Sequence, residues 1–153
     1  MRLAENKLLE KKQDTSLKLF VVLSKAYKAV VEQVEKDIQS RGLNTTDFAV
    51  LELLFHNGQQ PLKKIGEKIL LASGSVTYVI KKLEKKGYLV RRNSPDDRRV
   101  TYAIITEQGR ALLNNIFPGH WDQIKEIMSG LDEEEKKTSI ELLKKLGTNI
   151  REM

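Results

Sequence analysis

Residues 73–105 read SGSVTYVIKKLEKKGYLVRRNSPDDRRVTYAII, and the spacing of their apolar residues changes once, at Gly87. Before that glycine, apolar residues recur at spacings of three, one and three, which predicts a helix with one buried face. These residues are Val76, Val79, Ile80 and Leu83. After it, β-branched and aromatic residues dominate 88–92 and 100–105, which predicts two strands. Turn residues join the two segments, so together they predict a β-hairpin.

Two helices are predicted towards the N-terminal end of the chain. The first carries an apolar stripe from Leu17 to Ile38 and ends near Gly42, a typical C-terminal cap. Residues 1–14 carry no sustained stripe, so we expect them to form an arm. Thr45 or Thr46 is expected to cap the second helix.

A helix-turn-helix is predicted next, from a short helix over Leu62 to about Leu70, the small-residue turn 72–75 and the helix described above. Together with the hairpin it forms a winged helix-turn-helix, whose second helix fits the major groove of B-form DNA, roughly 12 Å wide. The candidate DNA contacts are small, polar or basic residues on the outer face of that helix and in the hairpin loop. They are Ser73, Gly74, Ser75, Thr77, Tyr78, Lys81, Lys82, Arg98 and Arg99. The lysines are expected to contact phosphates, and the arginines a narrow minor groove.

Two further helices are predicted after the hairpin. Thr106 is expected to cap the first of them, and Pro118-Gly119 is expected to kink or interrupt it. Asp132 and Glu135 have the spacing of a capping box at the start of the second. The fold class is therefore mainly α with a small β-hairpin wing.

The charge distribution supports an anionic partner for the middle of the chain. The 153 residues carry a net charge of +6. Residues 60–106 contain eleven basic and four acidic side chains, a net of +7, and the remaining 106 residues have a net charge of −1. A surface that only needs to be solvated usually mixes both signs, so this excess favours an anion-binding surface.

Several classes of function find no support in the sequence. There is no cysteine, which excludes disulfides, thiolate zinc sites and thiol nucleophiles. No phosphate-binding loop or nucleophile elbow is present, so we expect neither an enzyme nor a cofactor. His56 and His120 have no ligand partners at metal spacing and are expected in the core or on the surface. The apolar runs are too short to cross a membrane, so a soluble cytoplasmic protein is expected.

The sequence resembles the MarR-type (multiple antibiotic resistance regulator) bacterial transcription factors. The specific part of the resemblance comprises Ser73–Thr77 and Lys82–Leu89, which match the recognition helix. It continues with Asp97-Arg98-Arg99, which matches the Asp-x-Arg signature of the wing, and Thr106–Gly109, which matches the Thr-x-x-Gly that opens the next helix. The resemblance covers the chain from about residue 17 to residue 150.

The resemblance implies a homodimer that binds a palindromic double-stranded DNA operator and represses nearby genes until a small aromatic or phenolic ligand binds. It implies an N-terminal arm and dimerisation helix over 1–42, a DNA-binding domain over 43–106 and C-terminal dimerisation helices over 107–153. Arg99 would contact the minor groove and Asp97 would support the wing. The aromatic residues that could line an effector pocket, although such residues more often belong to the core, are Tyr27, Phe48, Phe55, Phe117 and Trp121.

Two other functions remain open from the residues alone. A winged helix can bind RNA or a protein with an acidic surface, and the basic segment would suit either partner. It can also bind DNA without regard to sequence, as an architectural protein does. Comparing a specific duplex with a random one separates these possibilities from a repressor.

Overall fold

The computed structural model describes residues 2–69 and 75–152, and within these ranges it is mostly helical. Ser73 and Gly74, two of the candidate DNA contacts, lie outside the described residues. The helices are α1 (Arg2–Gln13), α2 (Thr15–Ser40), α3 (Thr45–Asn57), α4 (Leu62–Lys68), α5 (Val76–Lys85), α6 (Glu107–Ile127) and α7 (Glu133–Arg151). The strands are β1 (Gln60–Pro61), β2 (Leu89–Asn93) and β3 (Thr101–Ile105). The predicted fold class, mainly α with a β-hairpin wing, is confirmed.

The three strands form one antiparallel sheet in the order β1-β3-β2. The hairpin pairs Leu89 with Ile105 at its base and Asn93 with Thr101 near its tip. Strand β1 pairs Gln60 with Ala103 on the other side of β3. This strand was not predicted, because two residues are too few to show an alternating pattern.

Helix α3 lies at the centre of the core. It buries all residues from Thr46 to Leu51, and also Leu54. The predicted inner face of α5 packs against it, with Val79, Ile80 and Leu83 buried. Residues from α2, α4, the sheet and α6 complete this core: Val34, Ile38, Ile65, Leu89, Ala103, Ile105, Leu113 and Ile116.

The N-terminal cap of α3 differs from the prediction. Asn44 caps the helix, because its Oδ1 accepts hydrogen bonds from the backbone N–H groups of Thr46 at 2.8 Å and Asp47 at 3.4 Å. The prediction of Thr45 or Thr46 was therefore wrong by one or two positions. Asparagine caps helices as well as threonine does, so residue type alone did not distinguish these neighbouring positions.

Of the two alternatives predicted at Pro118-Gly119, the interruption is wrong, since α6 continues through both residues, and the kink stays a prediction. Proline removes one backbone hydrogen bond from a helix. Here the helix is held on both sides of the proline, by the buried Ile116 and by His120, whose Nδ1 lies 2.8 Å from Asp37 Oδ2 on α2. These tertiary contacts keep the helix continuous across the missing bond.

The ends of the chain are helical but largely uncovered. Residues 2–13, expected as an arm, form the exposed helix α1, and Asp14 then caps α2. Among the described residues, α1 and α7 bury none of their side chains. Their apolar residues, and those of the first half of α2, are exposed to solvent. No helix in the described ranges has the length and apolarity needed to span a bilayer.

The hairpin and α6 approach each other closely at Thr106 and Gly109. Thr106 caps α6 as predicted: its Oγ1 donates to the Gly87 carbonyl at 2.6 Å and accepts from the Gly109 N–H at 3.1 Å. A Cβ at Gly109 would overlap the Tyr88 carbonyl oxygen and lie 2.7 Å from Ile105 Cγ1. We expect Gly109→Ala to lower the free energy of unfolding by about 1–3 kcal/mol, measured by urea unfolding.

Gly66→Ala is the matched control, because Gly66 is also helical but, among residues 2–69 and 75–152, a Cβ there would meet only Val76 Cγ2, at 3.8 Å. Alanine favours helix over glycine, so we expect this variant to be at least as stable as the wild type. Equal stabilities of the Gly109 and Gly66 variants would show that the close approach at Gly109 does not exist.

Candidate DNA-binding surface and ligand cavity

Helix α5 presents one buried face and one exposed face, as a recognition helix must. Ser75 caps the helix, with its Oγ accepting a hydrogen bond from the Tyr78 N–H at 3.3 Å. Thr77, Tyr78 and Lys81 are exposed, and the Tyr78 side chain is among the most exposed aromatic groups of the described chain, at 66%. The polar face predicted from the sequence is therefore accessible to a partner.

Lys82 differs from these neighbours because it is already paired. Its Nζ lies 2.8 Å from Oδ1 of Asp47 on α3. The Asp47 side chain is only 4% exposed, and that of Lys82 is 29% exposed. Sequence analysis placed Lys82 among the phosphate contacts, but the structure places its charge against a buried carboxylate.

The loop of the wing is shaped by side chains that bond to the backbone. Ser94 Oγ accepts hydrogen bonds from the N–H groups of Asp96 and Asp97. Asp97 Oδ1 in turn accepts from the Arg99 N–H at 3.0 Å and from its Nε at 3.1 Å. These bonds from Arg99 lower the pKa of Asp97 below its ordinary value. Arg99 itself remains 89% exposed, and Arg98 is exposed beside it.

A salt bridge connects the wing to the recognition helix. Arg91 on β2 donates from Nε and Nη2 to Glu84 Oε1 on α5, at 3.1 and 2.9 Å, and its backbone N–H donates to Glu84 Oε2. These hydrogen bonds lower the pKa of Glu84. The two candidate DNA probes, α5 and the hairpin, thus belong to one connected unit.

Most of the other cationic side chains of residues 60–106 are exposed. Within the described ranges, eight of the cationic side chains in this segment are exposed and form no ion pair with a carboxylate: Lys63, Lys64, Lys68, Lys81, Lys85, Lys86, Arg92 and Arg98. Such a surface attracts a polyanion over several ångströms and is weakened by salt.

A cavity of about 470 Å³ lies between α2, α3 and α6. Tyr27, Phe48, Phe117 and Trp121, four of the five aromatic candidates, line it. Phe55 is not among the lining residues; its ring instead packs against those of His56 and Phe117, with centroids 5.0 and 6.4 Å away. Most of the other lining side chains are aliphatic: Val30, Val31, Val34, Ile38, Ala49 and Ile124.

Two titratable groups, His120 and Glu52, interrupt the apolar lining. Burial acts to raise the pKa of the adjacent Asp37, but hydrogen bonds from Arg41 and His120 outweigh it, so that this pKa is lowered. An ionised Asp37 accepts a hydrogen bond from His120 Nδ1, so that Nε2 is the ring nitrogen left for another partner. Burial raises the pKa of Glu52, against the opposing effect of His120 and His56.

Sequence analysis did not identify Asp47, Glu52 or His120 as parts of a site. Glu52 carried a signal, because it interrupts the apolar run 48–55. Asp47 and His120 carried none that sequence could reveal, since their partners Lys82 and Asp37 are distant along the chain. No group of three or more potential metal-binding side chains occurs among residues 2–69 and 75–152.

Comparison with known proteins gives a consistent result. Residues 43–101 match the model of the MarR family. The HTH-type transcriptional regulator MhqR of Bacillus subtilis (strain 168) is 56% identical over 139 residues, which are 91% of this chain and 96% of MhqR. The uncharacterised HTH-type transcriptional regulator YkoM of the same organism is 42% identical over all of this chain and 97% of its own.

Solved structures show the same fold. AbsC, a MarR family transcriptional regulator from Streptomyces coelicolor, superposes with a TM-score of 0.79 at 21% identity, over 92% of this chain and 97% of its own. Sco3205 from the same organism, solved in complex with DNA, has a TM-score of 0.76 at 19% identity, over 89% and 88%. BpsR of Bordetella bronchiseptica, whose DNA binding is regulated by 6-hydroxynicotinic acid, has a TM-score of 0.71 at 27% identity, over 85% and 98%. The chain thus belongs to the MarR family of DNA-binding transcriptional regulators.

Proposed function

We propose that this regulator is a homodimeric repressor that binds a palindromic operator and is released by a small aromatic or phenolic ligand. The observation that carries the proposal is the position of helix α3, which packs against the recognition helix and also contributes Thr45, Phe48, Ala49 and Glu52 to the cavity. A ligand in the cavity would contact the helix on which the DNA-reading helix rests.

Dimerisation is supported by the apolar residues that one chain leaves in water. The first half of α2 exposes a continuous apolar surface that includes Leu19 and Phe20, and α7 exposes Leu142, Leu143 and Ile150. Contiguous apolar patches of this kind mark association surfaces. In this proposal residues 43–106 read DNA, and the flanking segments 1–42 and 107–153 hold two chains together.

Operator reading is assigned to α5 and to the tip of the wing. Ser75, Thr77 and Tyr78 would face the base edges of the major groove, where base pairs show distinct patterns of donors and acceptors, and Lys81 would contact a phosphate beside them. Two of the five side-chain N–H donors of Arg99 bond to Asp97, and the others would be available to the minor groove. A two-fold dimer would place the two helices about one DNA turn apart, roughly 34–36 Å.

Substitution of Arg99 tests the proposed contact between the wing and the operator. An operator can be selected from a pool of random duplexes and its affinity compared with that of an unselected duplex. We expect Arg99→Ala to weaken operator binding about tenfold or more while the free energy of unfolding stays unchanged, because the side chain is 89% exposed.

Lys11→Ala on α1 serves as its control, since it removes one exposed positive charge outside the winged helix. It should change operator affinity little. Equal binding of the wild-type protein to selected and random duplexes would replace the repressor with a sequence-neutral DNA binder. An unchanged operator affinity of the Arg99 variant would remove this residue from the mechanism.

Ligand binding is assigned to the cavity because its walls fit an aromatic ring that carries a polar group. Pockets for small molecules typically combine an apolar lining with few polar groups. The ring of Phe48 lies 4.7 Å from that of His120, and Phe117 stacks against Trp121 at 6.5 Å, so a ligand ring would enter an aromatic environment. His120 and Glu52 would supply hydrogen bonds for a ligand hydroxyl.

The second prediction uses Trp121, the single tryptophan of the chain, as a reporter in the cavity wall. Titration with substituted phenols should quench or shift its fluorescence, and the same concentrations should release the labelled operator. Val31→Phe, which adds a ring inside the cavity, should weaken both responses together.

Phe55→Leu is the matched control, because Phe55 lies near the cavity but does not line it. Its fluorescence titration should follow that of the wild type. Release of the operator without any change at Trp121 would place the effector site elsewhere in the protein.

A further inference from the structure

The ion pair between Lys82 and Asp47 is an unusual feature of the DNA-binding surface. Asp47 lies in the first turn of α3, and its side chain is almost completely buried. Lys82 lies on α5, one turn after the exposed Tyr78. The Nζ to Oδ1 distance of 2.8 Å places the ammonium group at the edge of the core rather than in solvent.

Because Asp47 is buried, separating Lys82 from it is energetically unfavourable. A buried carboxylate that loses its counter-charge is strongly destabilising, because the charge keeps its desolvation cost and loses the compensating attraction. If Lys82 turned outward to a phosphate, it would leave Asp47 in that state. An exposed lysine can contact a phosphate without breaking an ion pair, whereas Lys82 would have to leave Asp47 to do so.

Lys81 provides the comparison within the same helix. It is exposed and, in the part of the chain that the structure describes, forms no ion pair with a carboxylate. Lys82, by contrast, is held between Asp47 and the Tyr78 ring, whose centroid lies 5.9 Å from its Nζ. Adjacent lysines with the same formal charge thus have different surroundings.

We propose that Lys82 is a positioning residue and not a DNA contact. Its ion pair with Asp47 fixes the rotation and the height of α5 on α3, and thereby sets how Thr77, Tyr78 and Lys81 meet the groove. Loss of the ion pair would impair reading of the operator while leaving non-specific attraction to phosphates in place. The proposal rests on the operator binding proposed above.

The two roles predict opposite patterns of DNA affinity. If Lys82 positions the helix, Lys82→Met should weaken operator binding about tenfold, change random-duplex binding less than about twofold and leave the salt dependence unchanged. Its matched control Lys81→Met, which removes the same charge one residue away, should weaken both duplexes. The control should also reduce the slope of log K against log salt by about 0.9, the value for one phosphate contact.

A double-mutant cycle then tests the pair itself. Asp47→Asn should reproduce the loss seen in Lys82→Met, and the double variant should be no worse than either single variant, because all three lack the same ion pair. Lys82→Arg keeps a cation that reaches Asp47 and should restore most of the operator affinity. Urea unfolding of each variant checks that the protein remains folded; if Asp47→Asn does not fold, Lys82→Met and Lys82→Arg still decide the outcome.

The result that would overturn the proposal is a phosphate-contact pattern for Lys82. In that case Lys82→Met would weaken both duplexes and reduce the salt slope like Lys81→Met, and Asp47→Asn would bind DNA as well as the wild type or better. The wild-type protein, measured first on both duplexes, keeps the two proposals separate. If it shows no preference for the operator, operator binding fails, whereas a coupling between Asp47 and Lys82 in the free energy of unfolding still supports the joining of α5 to α3 by this pair, and additivity rejects it.

Discussion

The apolar residues that helices α1, α2 and α7 leave in water are the constraint on which the rest of the proposed mechanism depends. Helix α2 shows this best, because its character changes along its length. Its second half buries Val34 and Ile38 in the core, whereas its first half exposes Phe20 at 67%. A helix of 26 residues, about 39 Å long, thus belongs to the core at one end and to the proposed dimer interface at the other.

This dual role of α2 connects the interface to both functional sites. The same helix carries Tyr27 and Val34 of the cavity and Asp37, which holds His120 of α6. Across the cavity lies α3, which supports the recognition helix through apolar packing and through Asp47. In the proposed dimer, α2 would help to fix the spacing of the two recognition helices, and α3 would orient the recognition helix of its own chain. A ligand between α2 and α3 would therefore act on both.

The elements formed by local sequence were predictable. The helical stripe of α5, the β-branched and aromatic strands of the hairpin and the cap at Thr106 depend on residues close together in the chain, and the structure confirms them. Features that depend on distant contacts were not predictable. The continuity of α6 through Pro118 requires packing on both sides of the proline, and the environment of Lys82 requires Asp47 on another helix.

The candidate sites divide in the same way. The exposed face of α5 and the arginines of the wing followed from charge and periodicity. The cavity did not, because aromatic residues at helical spacing look alike in sequence whether they line a pocket or fill a core. Phe48 and Phe55 lie on the same helix, yet only Phe48 contributes to the cavity wall. Packing between helices decides this difference.

Sedimentation equilibrium of the full chain without DNA tests the central claim, dimerisation, most directly. The account predicts a mass twice the 17.5 kDa of one chain, maintained on dilution to low micromolar concentrations. A mass of 17.5 kDa under the same conditions would contradict it, because the exposed apolar surfaces would then have no partner and the two recognition helices no fixed spacing.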